Sequence, residues 1–198
     1  YYDYAADTTS NRKKGFGRQN VGFFAGQQYN WSTNKPLMAR NPSSAPLSFT
    51  REVTIRTSGA TLETAGIRPM KYAFDYAVSG QRNNDWVVFR YSDVLLMQGE
   101  AILRGGTGGT GDALDLVNSI RIKRGVTNLT ALTLDHLLDE RARELYWEGW
   151  RRQDLIRFGK FLLAWQEKEA DPDPKTLLYP VPSQQIAVNP NLKQNPGY

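Results

Sequence analysis

From about residue 85 onward, apolar side chains recur every three to four positions, and the runs stop at glycine or proline. This pattern constrains the fold more than any other feature, because a 3.6-residue period buries one stripe of a helix and does not suit a strand. Tyr91 to Arg104 carries Val94, Leu95, Met97, Ala101 and Ile102 and ends at Gly105 and Gly106, which predicts a first helix. Asp112 to Arg124 predicts a second, with Leu114, Val117, Ile120 and Arg121 at helical spacing and a stop at Gly125. Thr133 is placed to cap a third, its hydroxyl free to accept from the early amides, with Leu134, Leu137, Leu138, Ala142 and Leu145 on one face. Gly149 interrupts that helix, which is expected to resume over Arg152 to Trp165. Asp-Pro-Asp-Pro at 171 to 174 is expected to end regular structure. The tail from Leu178 to Tyr198 holds Pro180, Pro182, Pro190 and Pro196, which predicts extended chain with one turn at Ser183 to Ile186. The first two helices read as an αα-hairpin of tetratricopeptide-like length. No second copy follows, so a solenoid cannot be argued.

Before residue 85 the pattern changes. Gly, Asn, Ser, Thr and Pro recur every few residues, and Tyr1, Tyr2, Tyr4, Phe16, Phe23, Phe24, Tyr29 and Trp31 crowd the first 31 residues. Phe49 to Arg56 and Arg68 to Phe74 alternate and are candidate short strands; the remainder reads as ordered loop. The expected fold is therefore mainly α with extensive ordered loops and minor short strands. Residues 1–84 form a loop-rich, aromatic-rich segment and 85–198 a helical region with a Pro-rich tail, together one structural unit.

Several chemistries are excluded by what is missing. The 198 residues contain no cysteine and one histidine, His136, so disulfides, thiolate zinc sites and cysteine nucleophiles drop out, and no metal site or cofactor is expected. His136 reads as an exposed residue at a helix start. The longest apolar run, Phe161 to Trp165, spans five residues, whereas a spanning helix needs roughly 20. The net charge is +5, but it is dispersed. Between Asp139 and Lys160 six basic residues alternate with five acidic ones, so nucleic-acid binding, which needs unneutralised cations, is not expected. Arg12, Lys13, Lys14 and Arg18 form the one basic cluster.

Three motifs invite a functional reading. Gly106-Thr107-Gly108-Gly109-Thr110-Gly111 spells G-x-G-x-x-G before a helix, yet a dinucleotide site requires a strand ahead of it. A helix precedes it here, and an interhelical linker is expected. Glu140, Glu144 and Glu148 lie four apart, a spacing that places carboxylates on one helical face. A glycoside hydrolase using Glu140 and Glu148 would need one of them to hold its proton. Arg143 near Glu140, Arg141 near Glu144 and Arg152 near Glu148 favour the ionised form instead, so structural ion pairing is expected. Asp171-Pro-Asp173 reads as a turn, and no serine has a nucleophile context. Tyr29-Asn30-Trp31, among Gln27, Gln28, Ser32, Thr33 and Asn34, mixes flat apolar faces with neutral hydrogen-bonding groups. Sugars present C–H patches and hydroxyl edges, so Tyr29, Asn30, Trp31 and Asn34 are candidate ligand-binding residues. Plugs for a loop-rich interior are the competing reading of the same aromatics.

Four ordered stretches resemble the C-terminal half of the SusD/RagB family. Asn84 to Met97 with Gly99-Glu100-Ala101 resembles its most recognisable block, and Ala113-Leu114 through Asn118, Arg121 and Arg124-Gly125 its next helix. Asp139 to Leu145, Glu148-Gly149 and Arg152 to Gly159 resemble its "ERxxEL…EGxRxxDLxRxG" element, and Leu178 to Pro182 with Asn189 to Tyr198 its tail. The resemblance covers about residues 67 to 198. It implies a largely helical fold with tetratricopeptide-like pairs, in which Arg90, Glu100, Glu140, Arg141, Glu144, Glu148, Arg152, Asp154 and Arg157 belong to structural motifs. It also implies a binding protein, not an enzyme: a lipid-anchored protein of the outer-membrane surface that captures oligosaccharide for a SusC-like TonB-dependent transporter. Peptide capture is the alternative ligand class, with Arg12 to Arg18 meeting acidic substrates. Members are much longer and begin with a lipoprotein signal and a lipidated Cys, so the chain is expected to be a C-terminal fragment or truncation. The family's ligand-binding positions follow no motif, and Tyr29 and Trp31 rest on side-chain chemistry.

Overall fold

The computed structural model describes residues 2–3, 22–30, 33, 35–40, 44–55, 58–59, 62–72, 86–107 and 111–198. The Arg12 to Arg18 cluster, Trp31, Asn34, the second half of the Arg68–Phe74 segment and Gly108 to Thr110 lie wholly or in part outside them. The chain divides into two compact units, Tyr1–Trp86 and Val87–Tyr198.

The first unit is built on strand β2 (Gly22–Gln27), which pairs with β1 (Tyr2–Asp3) in parallel and with β3 (Ser48–Phe49) and β4 (Arg68–Met70) antiparallel. The register sets Phe24 opposite both Tyr2 and Arg68, and Gly26 opposite Phe49. Phe24 and Ala25 are buried, together with Ala39. Beyond Gln27 the pairing continues irregularly: Gln28 N donates to Leu47 O, Leu37 N to Gln28 O, and Leu47 N to Leu37 O. Arg68 staples the neighbouring loop, donating to the carbonyls of Leu62, Glu63, Ala65 and Gly66 while its guanidinium lies 4.8 Å from the Phe49 ring centroid. The expected strands shorten to Ser48–Phe49 and Arg68–Met70. Past Phe49, Thr50 turns its pairing away from the ladder: its amide donates to Thr64 O and its hydroxyl accepts from Gly66 N at 2.8 Å.

All the described α-helices belong to the second unit: α1 (Tyr91–Leu103), α2 (Ala113–Lys123), α3 (Leu134–Glu144), α4 (Arg151–Arg157) and α5 (Ser183–Val188). This matches the mainly α expectation. α1 packs on α2 and on α3, and α3 on α4. Leu96, Val117, Ile120, Leu137 and Leu145 form the core, closed by Leu95, Leu103, Leu129, Leu132, Trp150 and Phe158. Asp112 caps α2, accepting from Leu114 N at 2.7 Å, and Thr133 caps α3, accepting from His136 N at 3.1 Å. Asn118 fastens the following loop by exchanging two hydrogen bonds with the Leu129 backbone.

Three expectations are corrected. The buried face of α1 is Asp93, Leu96, Gly99 and Glu100, whereas Val94 and Met97 face solvent. The resumed helix is Arg151–Arg157 and stops before Phe161. Gly159 takes φ +67°, and Lys160 N reaches back to Leu155 O and Gly159 N to Ile156 O, the pair of bonds that closes a helix with a left-handed glycine. The same pattern ends α1 at Gly105 and α2 at Gly125. Finally, regular structure continues past Asp-Pro-Asp-Pro as a 3-10 turn, Pro174–Leu177, capped by Asp173. Proline suits a first helical position because the amide it lacks would have no partner there. The tail is fastened by side chains: Gln194 both accepts from Val181 N and donates to Val181 O, while the Tyr198 hydroxyl reaches Leu178 O at 3.0 Å.

Candidate functional site

Tyr29 is half-buried and bridges Pro36, and Asn30 N donates to Lys35 O at 2.9 Å, so the two chain directions close on a loop between them. Within it the Asn30 carboxamide oxygen accepts from Thr33 N at 2.9 Å. Asn30 is exposed. Trp31 and Asn34 belong to this loop in sequence but lie outside the described residues, so the candidate platform is placed at its Tyr29 and Asn30 edge alone.

The charged residues of the helical unit gather into a network spanning four helices. Arg141 on α3 is 2% exposed and sits between two carboxylates that are each 1% exposed. Its Nη1 donates to Asp93 on α1 and its Nε to Asp154 on α4, both at 2.9 Å. Asp154 also accepts from Arg157 at 2.8 Å, Arg157 grips Glu100 through two bonds, and Glu100 accepts from Arg104 at 2.9 Å. A second group centres on Glu144. Arg124 donates to both its carboxylate oxygens at 3.0 and 2.6 Å, and Arg90 joins from the start of α1 while also holding Glu148 at 2.9 Å. A third joins Glu140 to Arg121 at 2.6 Å and Arg143 at 2.7 Å.

Most of these partners are not the ones that sequence spacing proposes. Arg143 does pair with Glu140, but Arg141 serves Asp93 and Asp154, and Arg152 donates to Thr176 O at 2.6 Å with its guanidinium 4.1 Å from the Tyr179 ring centroid. Nor do the three glutamates share one helix. α3 ends at Glu144, and Glu148 lies in the turn that follows. Asp93, Arg104, Arg121 and Arg124 are not among the charged residues assigned to the structural motifs. The available signal was two acids, Asp93 and Glu100, on the same helical stripe as Leu96.

Burial by itself would push the Glu144 carboxyl upward. Hydrogen bonds from Arg124 and Arg90 overcome this and hold it at about 2. Glu100 is likewise lowered, the guanidinia of Arg157 and Arg104 outweighing its burial. A general acid at neutral pH must keep its proton, and carboxylates held this way do not. The amide end of α2 is capped by the chain's own Asp112, whose negative charge disfavours an anion there. Among the described residues no group of His, Cys, Asp or Glu is placed to hold a metal ion, and no helix is long and apolar enough to cross a membrane.

The described residues of the helical unit line three solvent-facing recesses. One of about 360 Å³ runs beside Tyr146, Trp147 and Trp150, and one of about 420 Å³ lies over the Glu100–Arg157 pair. The third, an open groove of about 790 Å³, lies between the first turn of α1 and the last turns of α2. Trp147 is 58% exposed and takes φ +61°, a left-handed backbone that a bulky aromatic rarely adopts.

Residues 50–198 match the SusD family model, three-quarters of the chain and all of the helical unit. The chain belongs to the SusD family. Starch-binding protein SusD of Bacteroides thetaiotaomicron is 36% identical to it over 125 residues, which are 59% of this chain and 22% of that protein. SusD-like protein P38 of Formosa agariphila is 30% identical over 125 residues, 57% of this chain and 24% of that protein. Among solved structures, surface glycan-binding protein A from Bacteroides thetaiotaomicron, in complex with laminarihexaose, matches with 33% identity and a TM-score of 0.49, over 58% of this chain and 25% of that one. The chain thus spans under a quarter of the length of these SusD relatives.

Proposed function

We propose that this SusD-family chain is part of a non-catalytic protein of the outer-membrane surface that captures oligosaccharide and presents it to a SusC-like TonB-dependent transporter. The observation that carries the reading is the 36% identity to a starch-binding protein. The chemistry of the charged residues agrees with it: Glu144 and Glu100 are clamped by guanidinia and serve the packing of four helices, not proton transfer. Sugar rings would stack on exposed aromatic faces while amide and hydroxyl groups satisfy the ring hydroxyls, and the loop holding Tyr29, Asn30, Trp31 and Asn34 has that composition. Tryptophan fluorescence titration of the chain and its Trp31→Ala variant against a panel of malto- and laminari-oligosaccharides tests this. Saturable binding by the chain, weakened in the variant, is expected. Equal affinity in both would remove Trp31 from the site, and no binding by either would remove the function.

A further inference from the structure

The groove between α1 and α2 has an unusual lining: Arg90, Lys123 and Arg124 border it, and among the described residues no carboxylate does. Leu95, Leu116 and Ile120 supply its apolar lining, with Ser92 and Ser119 beside them; Ser92 Oγ already accepts from Arg90, and Ser119 Oγ donates to Leu116 O at 2.7 Å. Helical geometry explains the arrangement, since Leu116, Ser119, Ile120 and Lys123 follow one another at the three- and four-residue steps of a single α2 face. At the other wall Tyr91 opens α1 with 75% of its surface exposed. The charges differ in kind. Arg90 and Arg124 are committed to Glu144 and Glu148, both buried, and the Arg124 side chain is still 55% exposed. Lys123 is exposed and has no ion-pair partner among the described residues. At about 790 Å³ the groove falls within the size range of small-ligand sites.

A ligand suited to this lining has an apolar face for Tyr91 and the leucines, a hydroxyl to donate to Ser119 Oγ and a negative charge for Lys123 and Arg124. We propose that the α1–α2 groove binds an anionic saccharide, a sugar ring carrying a carboxylate or sulfate, with Tyr91 under the ring and Lys123 and Arg124 on the anion. The assignment rests on the glycan-binding reading for the class of ligand and goes beyond it in charge and location. Charge-assisted hydrogen bonds to a guanidinium or ammonium supply the selectivity.

Isothermal titration of the full 198-residue chain tests it, using oligogalacturonate, a sulfated galactan oligosaccharide, neutral maltohexaose and hexaglutamate at low and high salt. The acidic sugars are expected to bind more tightly than maltohexaose and to lose about tenfold in affinity between 20 and 500 mM NaCl. Lys123→Gln is expected to weaken them about fivefold and Tyr91→Ala about tenfold, neither altering maltohexaose. Which acidic sugar binds more tightly tells carboxylate from sulfate. Lys123 is exposed and outside the core, so its variant carries the test even where Tyr91→Ala fails to fold. Hexaglutamate binding as tightly, indifferent to Tyr91→Ala, would make the groove a plain anion patch and overturn the saccharide assignment. Maltohexaose binding with no preference for acidic sugars would overturn the inference and leave the glycan reading intact, whereas no glycan binding at all would overturn both.

Discussion

Replacing Arg141 with Met tests how the helical unit tolerates its buried charge. Arg141 is nearly inaccessible and joins α1 to α4 through α3, by bonds of 2.9 Å to Asp93 and to Asp154. Methionine fills much of the space but removes both bonds. The two carboxylates do not suffer equally. Asp154 keeps Arg157 at 2.8 Å, but the Asp93 Oδ2 oxygen already lacks a hydrogen-bond partner, so Arg141→Met strips Asp93 of its guanidinium as well. Stranding a buried charge costs about 3–5 kcal/mol, a large share of the roughly 5–15 kcal/mol available to a domain. Urea denaturation followed by circular dichroism at 222 nm reads the helical unit, to which all the described α-helices belong. With a urea slope of about 2 kcal/mol/M, the midpoint should fall by about 2 M. Adding Asp93→Leu in the Arg141→Met background removes the stranded charge and should recover most of the loss, giving a strongly non-additive double-mutant cycle. A midpoint shift below about 0.5 M for Arg141→Met, or no recovery in the double variant, would refute this reasoning.

Other outcomes follow from the same contacts. Glu144 is lowered from 4.5 to about 2 in the folded chain, so its stabilisation is complete above the unfolded value and is lost as pH falls toward 2; the unfolding free energy from urea titrations across that window should decline by on the order of 2–3 kcal/mol, and less so in Glu144→Gln. Trp147→Asn places a residue that tolerates the left-handed region at φ +61°, and thermal unfolding should show stability unchanged or raised by up to about 1 kcal/mol; a loss above that would mean the exposed ring is held by packing. Gln194→Ala removes the side chain that satisfies both polar groups of the Val181 backbone, and the Val181 amide should lose its hydrogen-exchange protection while the helices keep theirs.

The helical boundaries were legible in the sequence wherever local chemistry sets them. Thr133 and Asp112 cap as side chains of their kind do, and the glycines after α1 and α2 terminate them through bonds that involve only neighbouring residues. Gly159 works in the same way, but the apolar run Phe161 to Trp165 beyond it imitated a continuing helix. The buried face of α1 was hidden for a different reason. Asp93 and Glu100 point inward because Arg141 and Arg157 arrive from 48 and 57 residues away, and no local period reports that. Spacing therefore suggested the wrong partners for Arg141 and Arg152 while identifying most of the participating residues. Strand β2 was missed because it is paired along both edges and flanked by glycine, which removes the alternation that marks a half-buried strand. As for the candidate site, the stacking chemistry at Tyr29 was visible, but the α1–α2 groove was not: it exists only once Tyr91 and Lys123 face each other across two packed helices.

The central claim is that this chain binds glycan without cleaving it. Isothermal titration against neutral and acidic oligosaccharides, with the cell contents assayed afterwards for reducing ends, tests both halves in one measurement. Saturable binding to at least one glycan with no new reducing ends is the predicted result. Released reducing ends, or an absence of binding across the panel, would contradict it.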